Sequence, residues 1–192
     1  MPVGLDFGVV NVIAGALGSL VVNPREYDRQ RRRIARAQRV MARRKRGRGQ
    51  RPSKNYAKAQ KRVAKLHRTV RRRRMDLQHK LTHHYAKSHG MVVIEDLKVS
   101  AMSSSARGTK ESPGRRVRAK AGSNRSILGV GWYELRRQLT YKCAWYGSQL
   151  VVVDPKYTSQ QCPRCHRVCA DNRPSQAQFL CATSTMRMWQ AP

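Results

Sequence analysis

Residues 25–74 hold twenty-three Lys and Arg against two acids, Glu26 and Asp28. Few folds accept such a stretch. Apolar residues recur in it at helical intervals: Ile34, Ala37, Val40 and Met41 first, then Tyr56, Ala59, Val63, Leu66, Val70 and Leu77, with Leu81 and Tyr85 continuing that face. Tyr56, Val63, Val70 and Leu77 repeat every seven residues, the period of helices packed along a narrow seam. Between the two sets, Gly47-Arg48-Gly49-Gln50-Arg51-Pro52 breaks the helix, and Ser53 offers a hydroxyl to cap the next one. The pattern predicts a helical hairpin over residues 25–89, with a thin apolar seam and a cationic exterior. A solvated helix normally mixes signs, and cations without anions repel one another unless a polyanion lies alongside. The whole chain has 41 Lys and Arg against 10 Asp and Glu, a net +31, so this segment carries about two thirds of the excess. Nucleic acid is the expected partner. Its expected contacts are Arg31, Arg32, Arg33, Arg36, Arg43, Arg44, Lys45, Arg46, Lys58, Arg62, Lys65, Arg71 and Arg72.

The flanks read differently. Pro2–Val9, Asn11–Leu17 and Ser19–Asn23 are short apolar segments punctuated by Gly4, Gly8, Gly15 and Gly18, as in a meander of antiparallel strands. After the hairpin, Gly90 ends the helix and Met91–Leu97 reads as a buried strand with carboxylates at its end. Residues 98–126, rich in Ser, Gly, Lys and Arg, read as a mobile loop. Ile127–Tyr146 returns to helical periodicity, with Cys143 a small core residue on its apolar face. Gly147 ends that helix, and Gln149–Asp154 is a last strand. The histidines, His83 and His84 among them, read as part of the polar helix face. No apolar run approaches the roughly 20 residues of a membrane span, and the N-terminus lacks the features of a signal peptide. Five cysteines, four of them clustered, fit metal binding in a reducing cytoplasm better than a disulfide framework.

Two groups of residues carry chemistry. Cys162-Pro-Arg-Cys165 is followed fifteen residues later by Cys181-Ala-Thr-Ser184. A cysteine in place of Ser184 would complete a four-thiolate zinc site, CxxC-x15-CxxC. As written, Cys162, Cys165 and Cys181 are three zinc ligands, with Cys169 or His166 a fourth donor at the cost of a strained turn, so zinc binding is expected to be weak or partial. The second group is acidic. Asp6 lies in the first strand between Leu5 and Phe7, and Glu95 ends the fourth. The element order, three strands, basic helices, strand, helix, strand, is that of an α/β RNase H-like fold in which those two strands are neighbours. A lone buried carboxylate is costly, so Asp6 calls for a metal or a hydrogen-bonded partner. Asp and Glu supply the hard oxygen ligands that magnesium takes, and a magnesium pair supports phosphodiester hydrolysis.

Gly4-Leu5-Asp6-Phe7-Gly8-Val9, the Arg-rich hairpin, Val93-Ile94-Glu95-Asp96-Leu97, Gly131-Trp132-Tyr133-Glu134-Leu135, Tyr157 through Cys165, and Asn172-Arg173 together resemble the TnpB (OrfB) family of insertion sequences. These are RNA-guided DNA nucleases related to the type V CRISPR effectors. The resemblance covers residues 2 to about 181 and is expected to stop there. It implies a RuvC-type domain over residues 1–157 with the hairpin 25–89 inserted, a zinc-ribbon remnant over 158–185, and a divergent tail, 186–192. It places Asp6 and Glu95 on the first two catalytic motifs and Cys162, Cys165 and Cys181 on three of four zinc ligands. It implies DNA and guide RNA as partners, with no membrane and no small-molecule substrate. In the family the third catalytic acid lies beyond the position of Cys181, and a further segment precedes the first motif; here Met186–Pro192 holds no acid and the sequence starts at that motif. The implied picture is a chain cut short at both ends. It is a transposon-encoded nucleic-acid binder derived from a nuclease and catalytically crippled; the alternative is a working magnesium-dependent endonuclease. Asp154 and Asp171 are poor substitutes for the missing acid, one in a strand-end turn and one in the ribbon.

Overall fold

The computed structural model describes residues 1–16, 18–47, 50–162, 164–174 and 179–181. They form a mixed α/β fold around a five-stranded mixed sheet. Strands β1 (Pro2–Asp6), β2 (Asn11–Gly15) and β3 (Leu20–Val22) make the expected antiparallel meander, each shorter than the sequence indicated. The hairpin follows as α1 (Glu26–Arg43) and α2 (Lys54–Ser88). Then come β4 (Met91–Glu95), a short α3 (Val99–Met102), α4 (Val117–Val130), α5 (Trp132–Tyr146) and β5 (Gln149–Val153). The sheet order is β3-β2-β1-β4-β5, and β1 runs parallel to β4 with Leu5 beside Ile94. The chain packs as two compact units: Met1–Ile94 with Lys98–Val151, and Glu95–Leu97 with the chain from Val152 on.

Alternation builds the core of the first unit. Val3, Leu5 and Phe7 from the first strand region, Val12 and Ile13 from β2, and Val92 and Ile94 from β4 are buried. Helix α1 buries Ile34 and Ala37 against α2, which buries Ala59, Val63 and Val70. Ser53 caps α2 as its hydroxyl predicts, accepting from the Tyr56 amide at 3.1 Å. Beyond Val70 the seam departs from the heptad reading. Leu77 and Leu81 are only half-buried, and the fully buried positions are Gln78 and Thr82 with Tyr85 and Ala86.

The departure has a physical reason, because α2 packs there on polar partners from α4 and α5. Gln78 Nε2 donates to the carbonyls of Val130 (2.8 Å) and Gly131 (3.1 Å), and Arg74 Nη1 to those of Leu128 (3.1 Å) and Gly129 (3.3 Å). Those of Leu128, Gly129 and Val130 are carbonyls that a helix C-terminus leaves without partners, while that of Gly131 also accepts from the Glu134 and Leu135 amides. Thr82 Oγ1 lies 3.0 Å from Gln138 Oε1 and accepts from Lys142 Nζ at 2.8 Å, while Lys142 also donates to the His79 carbonyl at 2.7 Å. Burial pushes the pKa of Lys142 down. On the outer side, Arg137 donates twice to Glu134 (2.9 and 2.8 Å) and Gln138 donates once (2.9 Å).

Residues 98–126 are not one loop. They contain α3 and most of α4, whose Gly and Ser content disguises a helix held by tertiary bonds: Lys120 Nζ to the Met102 carbonyl at 2.6 Å, and Asn124 Nδ2 to those of Ser103 and Ser104 at 2.8 and 2.9 Å. The helix expected over Ile127–Tyr146 is two helices. Gly131 divides them in the left-handed conformation (φ 76°, ψ 51°) and leaves the carbonyls at the end of α4 open to Arg74 and Gln78. A Cβ at Gly131 would also sit 3.0 Å from Gln78 Nε2.

Gly131→Ala is therefore expected to cost about 1–2 kcal/mol, mostly through the left-handed backbone, and the urea midpoint measures it. Arg137 holds the Glu134 carboxyl down to about 2, from its usual 4.5. A depressed carboxylate contributes stability above its unfolded pKa and loses it as the pH falls through the folded one. The difference in thermal midpoint between wild type and Glu134→Gln should therefore be full above about pH 4.5 and vanish by about pH 2.

Candidate functional site

All thirteen cations assigned to the hairpin surface are exposed, from Arg31 on α1 to Arg72 on α2. Local sequence explains this. Ile34, Ala37, Ala59, Val63 and Val70 of α1 and α2 are buried, so the cations at the positions between them face solvent. Among the described residues none of the thirteen forms an ion pair. Glu26, one of the two acids here, is taken by Arg73 (3.0 Å) and Arg29 (3.5 Å). A groove of about 320 Å³ opens between the helices, with Ala37, Val40, Ala59 and Leu66 as its floor and Arg33, Arg36, Arg44, Lys58 and Arg62 on its rim. An apolar floor ringed by guanidinium and ammonium groups is suited to polyanions that also present flat apolar surface. No helix among the described residues is long and apolar enough to cross a membrane.

In the second unit the chain folds back on itself to gather sulfur. The Cys162 amide donates to the Arg167 carbonyl (3.0 Å) and the His166 amide to the Cys162 carbonyl (2.9 Å), closing the turn that carries Cys165. Buried Asn172 ties the module together. Its Nδ2 donates to the carbonyls of Gln160 (2.8 Å) and Arg167 (3.1 Å), and its own carbonyl accepts from the Leu180 amide (2.8 Å), which brings Cys181 alongside. The sulfurs of Cys162, Cys165 and Cys181 lie within 4.8 Å of one another, Cys165 and Cys181 at 3.5 Å. A tetrahedral ion with metal–sulfur bonds of about 2.3 Å would set its sulfurs about 3.8 Å apart, so three corners of such a site are in place. The amides of Cys165 and Arg164 pull the Cys162 thiol down, but burial and the two neighbouring sulfurs outweigh them, and its pKa is raised. Cys169 is not in the group; its sulfur faces Asp171 Oδ2 at 3.7 Å. Neither does His166 join it; its backbone takes the left-handed turn conformation, φ 57°. The position of Ser184, and with it the other half of the CxxC pattern, lies outside the described residues.

The two acids stand at strand ends. Asp6 closes β1 and is exposed, because Val3, Leu5 and Phe7 take the buried side of the alternation. The cost of burying a lone carboxylate, expected from the apolar neighbours of Asp6, does not arise. Glu95 closes β4, half-buried, and its Oε1 accepts from Thr158 Oγ1 at 3.1 Å. Thr158 went unassigned in the sequence, where only its place in the segment before Cys162 marked it. Asn172 was likewise noted for its motif and not for the bonds it makes.

The sequence can be set beside known proteins. Residues 2–106 match the OrfB_IS605 family, described as "Probable transposase", and residues 132–189 match the Cas12f1-like TNB domain. The second match continues past Cys181, where the likeness was expected to stop. The chain is 44% identical over 179 residues to "Putative RNA-guided DNA endonuclease InsQ" of Escherichia coli (strain K12), covering 93% of this chain and 43% of that protein. It is 35% identical over 167 residues to a "Putative RNA-guided DNA endonuclease" of Streptomyces pristinaespiralis, covering 86% and 37%. The chain thus spans about two fifths of the length of these relatives. Its fold resembles that in the cryo-EM structure of a Cas12f1-sgRNA-target DNA complex, with a TM-score of 0.50 at 17% identity over 86% of this chain and 39% of that one.

Titration of the reduced chain with cobalt(II), read by its thiolate absorption, should show one ion per chain. Cys165→Ser removes one of the three thiolates and is expected to weaken that binding by more than the roughly 10- to 100-fold that loss of an outer-shell partner costs, and Cys169→Ser to leave it unchanged.

Proposed function

The chain belongs to the OrfB family of transposable elements, and from that premise we propose that it is a nucleic-acid-gripping segment of a protein of the RNA-guided DNA endonuclease kind. The observation that carries the proposal is the hairpin: thirteen exposed cations, ten on α1 and α2 and three in the turn after α1, none with an ion-pair partner among the described residues. Phosphates are the ligand such a surface lacks. DNA and guide RNA are the partners we assign to it, in the bacterial cytoplasm.

We assign the sheet to the RNase H-like, RuvC-type class. The parallel pairing of β1 with β4, which sets Leu5 beside Ile94, supports this, since each strand ends on its acid, Asp6 and Glu95. Both acids would serve as magnesium ligands, with Thr158 orienting the Glu95 carboxylate. Bound there, magnesium would supply the activation of water and the stabilisation of a leaving phosphate oxygen. The sequence from residue 172 to 192 contains no Asp or Glu, so that stretch adds no third carboxylate. Residues 1–192 thus offer two of the family's three acids, and we propose that they hydrolyse poorly by themselves, since removing one member of a catalytic set costs orders of magnitude. We assign the thiolate cluster to an incomplete zinc ribbon. Cys162, Cys165 and Cys181 suit zinc by donor chemistry, and the ion would hold the two sulfur-bearing segments together.

Two measurements test the reading. Labelled single- and double-stranded DNA incubated with magnesium, with and without RNA from the same element, should be cut no faster by the wild type than by Asp6→Ala; faster cutting would establish the working endonuclease instead. Binding should fall about 10³- to 10⁵-fold between 50 and 200 mM salt, as for six to ten phosphate contacts, and Arg36→Ala/Arg62→Ala should reduce the log–log salt slope by about two. A flat salt response would remove the hairpin from the nucleic-acid surface.

A further inference from the structure

Helix α5 has a second face that the hairpin reading leaves unused. Its inner side buries Trp132, Leu135, Gln138, Leu139, Lys142 and Cys143. Its outer side carries Tyr133, Arg137, Tyr141 and Trp145 at steps of four residues, a row in which each side chain neighbours the next and which winds about a third of a turn round the helix. Tyr133 and Trp145 are each 73% exposed, among the most open large apolar side chains of the fold. Tyr141 meets Trp145 edge to face at 4.7 Å, and the Arg137 guanidinium lies 5.6 Å from the centre of the Tyr141 ring. Glu134 holds that guanidinium by its two bonds of 2.8 and 2.9 Å, so this part of the stripe is fixed before any ligand arrives.

We propose that this stripe is a stacking platform for the unpaired bases of single-stranded nucleic acid. The proposal rests on the nucleic-acid reading of the hairpin but concerns a different surface and a different part of the ligand. Rings and a guanidinium plane offer flat faces to bases, and every base has a face to return. From Tyr133 to Trp145 the helix rises about 18 Å. A strand stacked at about 3.4 Å per nucleotide would lay about five nucleotides along it. Stacking reads the faces of bases and not the sugar, so the platform takes ribose and deoxyribose strands alike. Charge favours this occupant over a second copy of the chain, since two molecules at +31 repel each other while a polyanion is drawn in.

The test uses the full chain with fluorescent oligo(dT), oligo(rU) and a DNA duplex of the same length. Trp145→Ala and Tyr133→Ala should each weaken both single strands by about 5- to 100-fold, the loss of one stacked base. Duplex affinity and the salt slope should not move, because no phosphate contact is removed. Trp145→Phe should restore most of the loss. Both side chains are largely exposed, and circular dichroism melts confirm that the variants fold. Unchanged single-strand binding, equal weakening of the duplex, or a preference for one sugar that depends on Trp145 would each overturn the proposal. So would sedimentation showing a dimer that Trp145→Ala dissolves. Arg36→Ala/Arg62→Ala should weaken single strands and duplex together; if that pair acts and the platform variants do not, only this inference fails.

Discussion

The fold depends on how the last turns of α2 are held against α4 and α5. A helix with so many like charges and so thin a seam has little reason to stay in one place. Gln78, Thr82 and Arg74 supply that reason by bonding to the end of α4 and to Gln138 and Lys142 on α5. Buried hydrogen bonds are directional, and leaving one unmade costs about 1–3 kcal/mol, so the arrangement sets a register that an apolar seam alone would leave loose. Further along, Ser19 Oγ and the Tyr85 hydroxyl, 3.2 Å apart, link the same helix to the strand meander.

This anchoring lets the charge serve a ligand. The cations at the hairpin end of α1 and α2 need no internal anions because the other end of α2 is fixed by neutral amides, a hydroxyl, the Arg74 guanidinium and one buried lysine. The protein spends few of its ten acids on balancing the hairpin. Glu134 orders Arg137, Glu26 ties α1 to α2, and Asp6 and Glu95 are left at strand ends. The cationic surface, the stripe on α5, the strand-end acids and the thiolates thus draw on different residues.

Much of this was readable in the chain. The hairpin, its Ser53 cap, the three-strand meander and β4 and β5 follow from local periodicity and turn chemistry, and the exposed cations follow from the hairpin. The three-sulfur group was also foreseeable, because CxxC and a cysteine fifteen residues on are separated by a turn long enough to return. What misled was composition. The Gly and Ser of α4 read as a loop, yet Lys120 and Asn124 pin them into a helix. Leu77 and Leu81 read as seam, yet the buried side belongs to Gln78 and Thr82, whose partners lie more than fifty residues away. Asp6 read as buried because its neighbours are apolar, but a strand alternates, and its side is the open one.

The sequence by itself determined where α1, α2 and the five strands lie, which residues are cationic and exposed, and which three sulfurs could meet, since all of these follow from spacing along the backbone and from the cost of burying charge. Tertiary structure alone decided which face of α2 is buried, that Gly131 splits one helix into two, that Cys169 stays out of the thiolate group, that Thr158 bonds Glu95, and that Asn172 ties the cysteine turns together. Each of these depends on a bond between residues distant in sequence or on the direction a turn takes, and neither leaves a periodic trace in the chain.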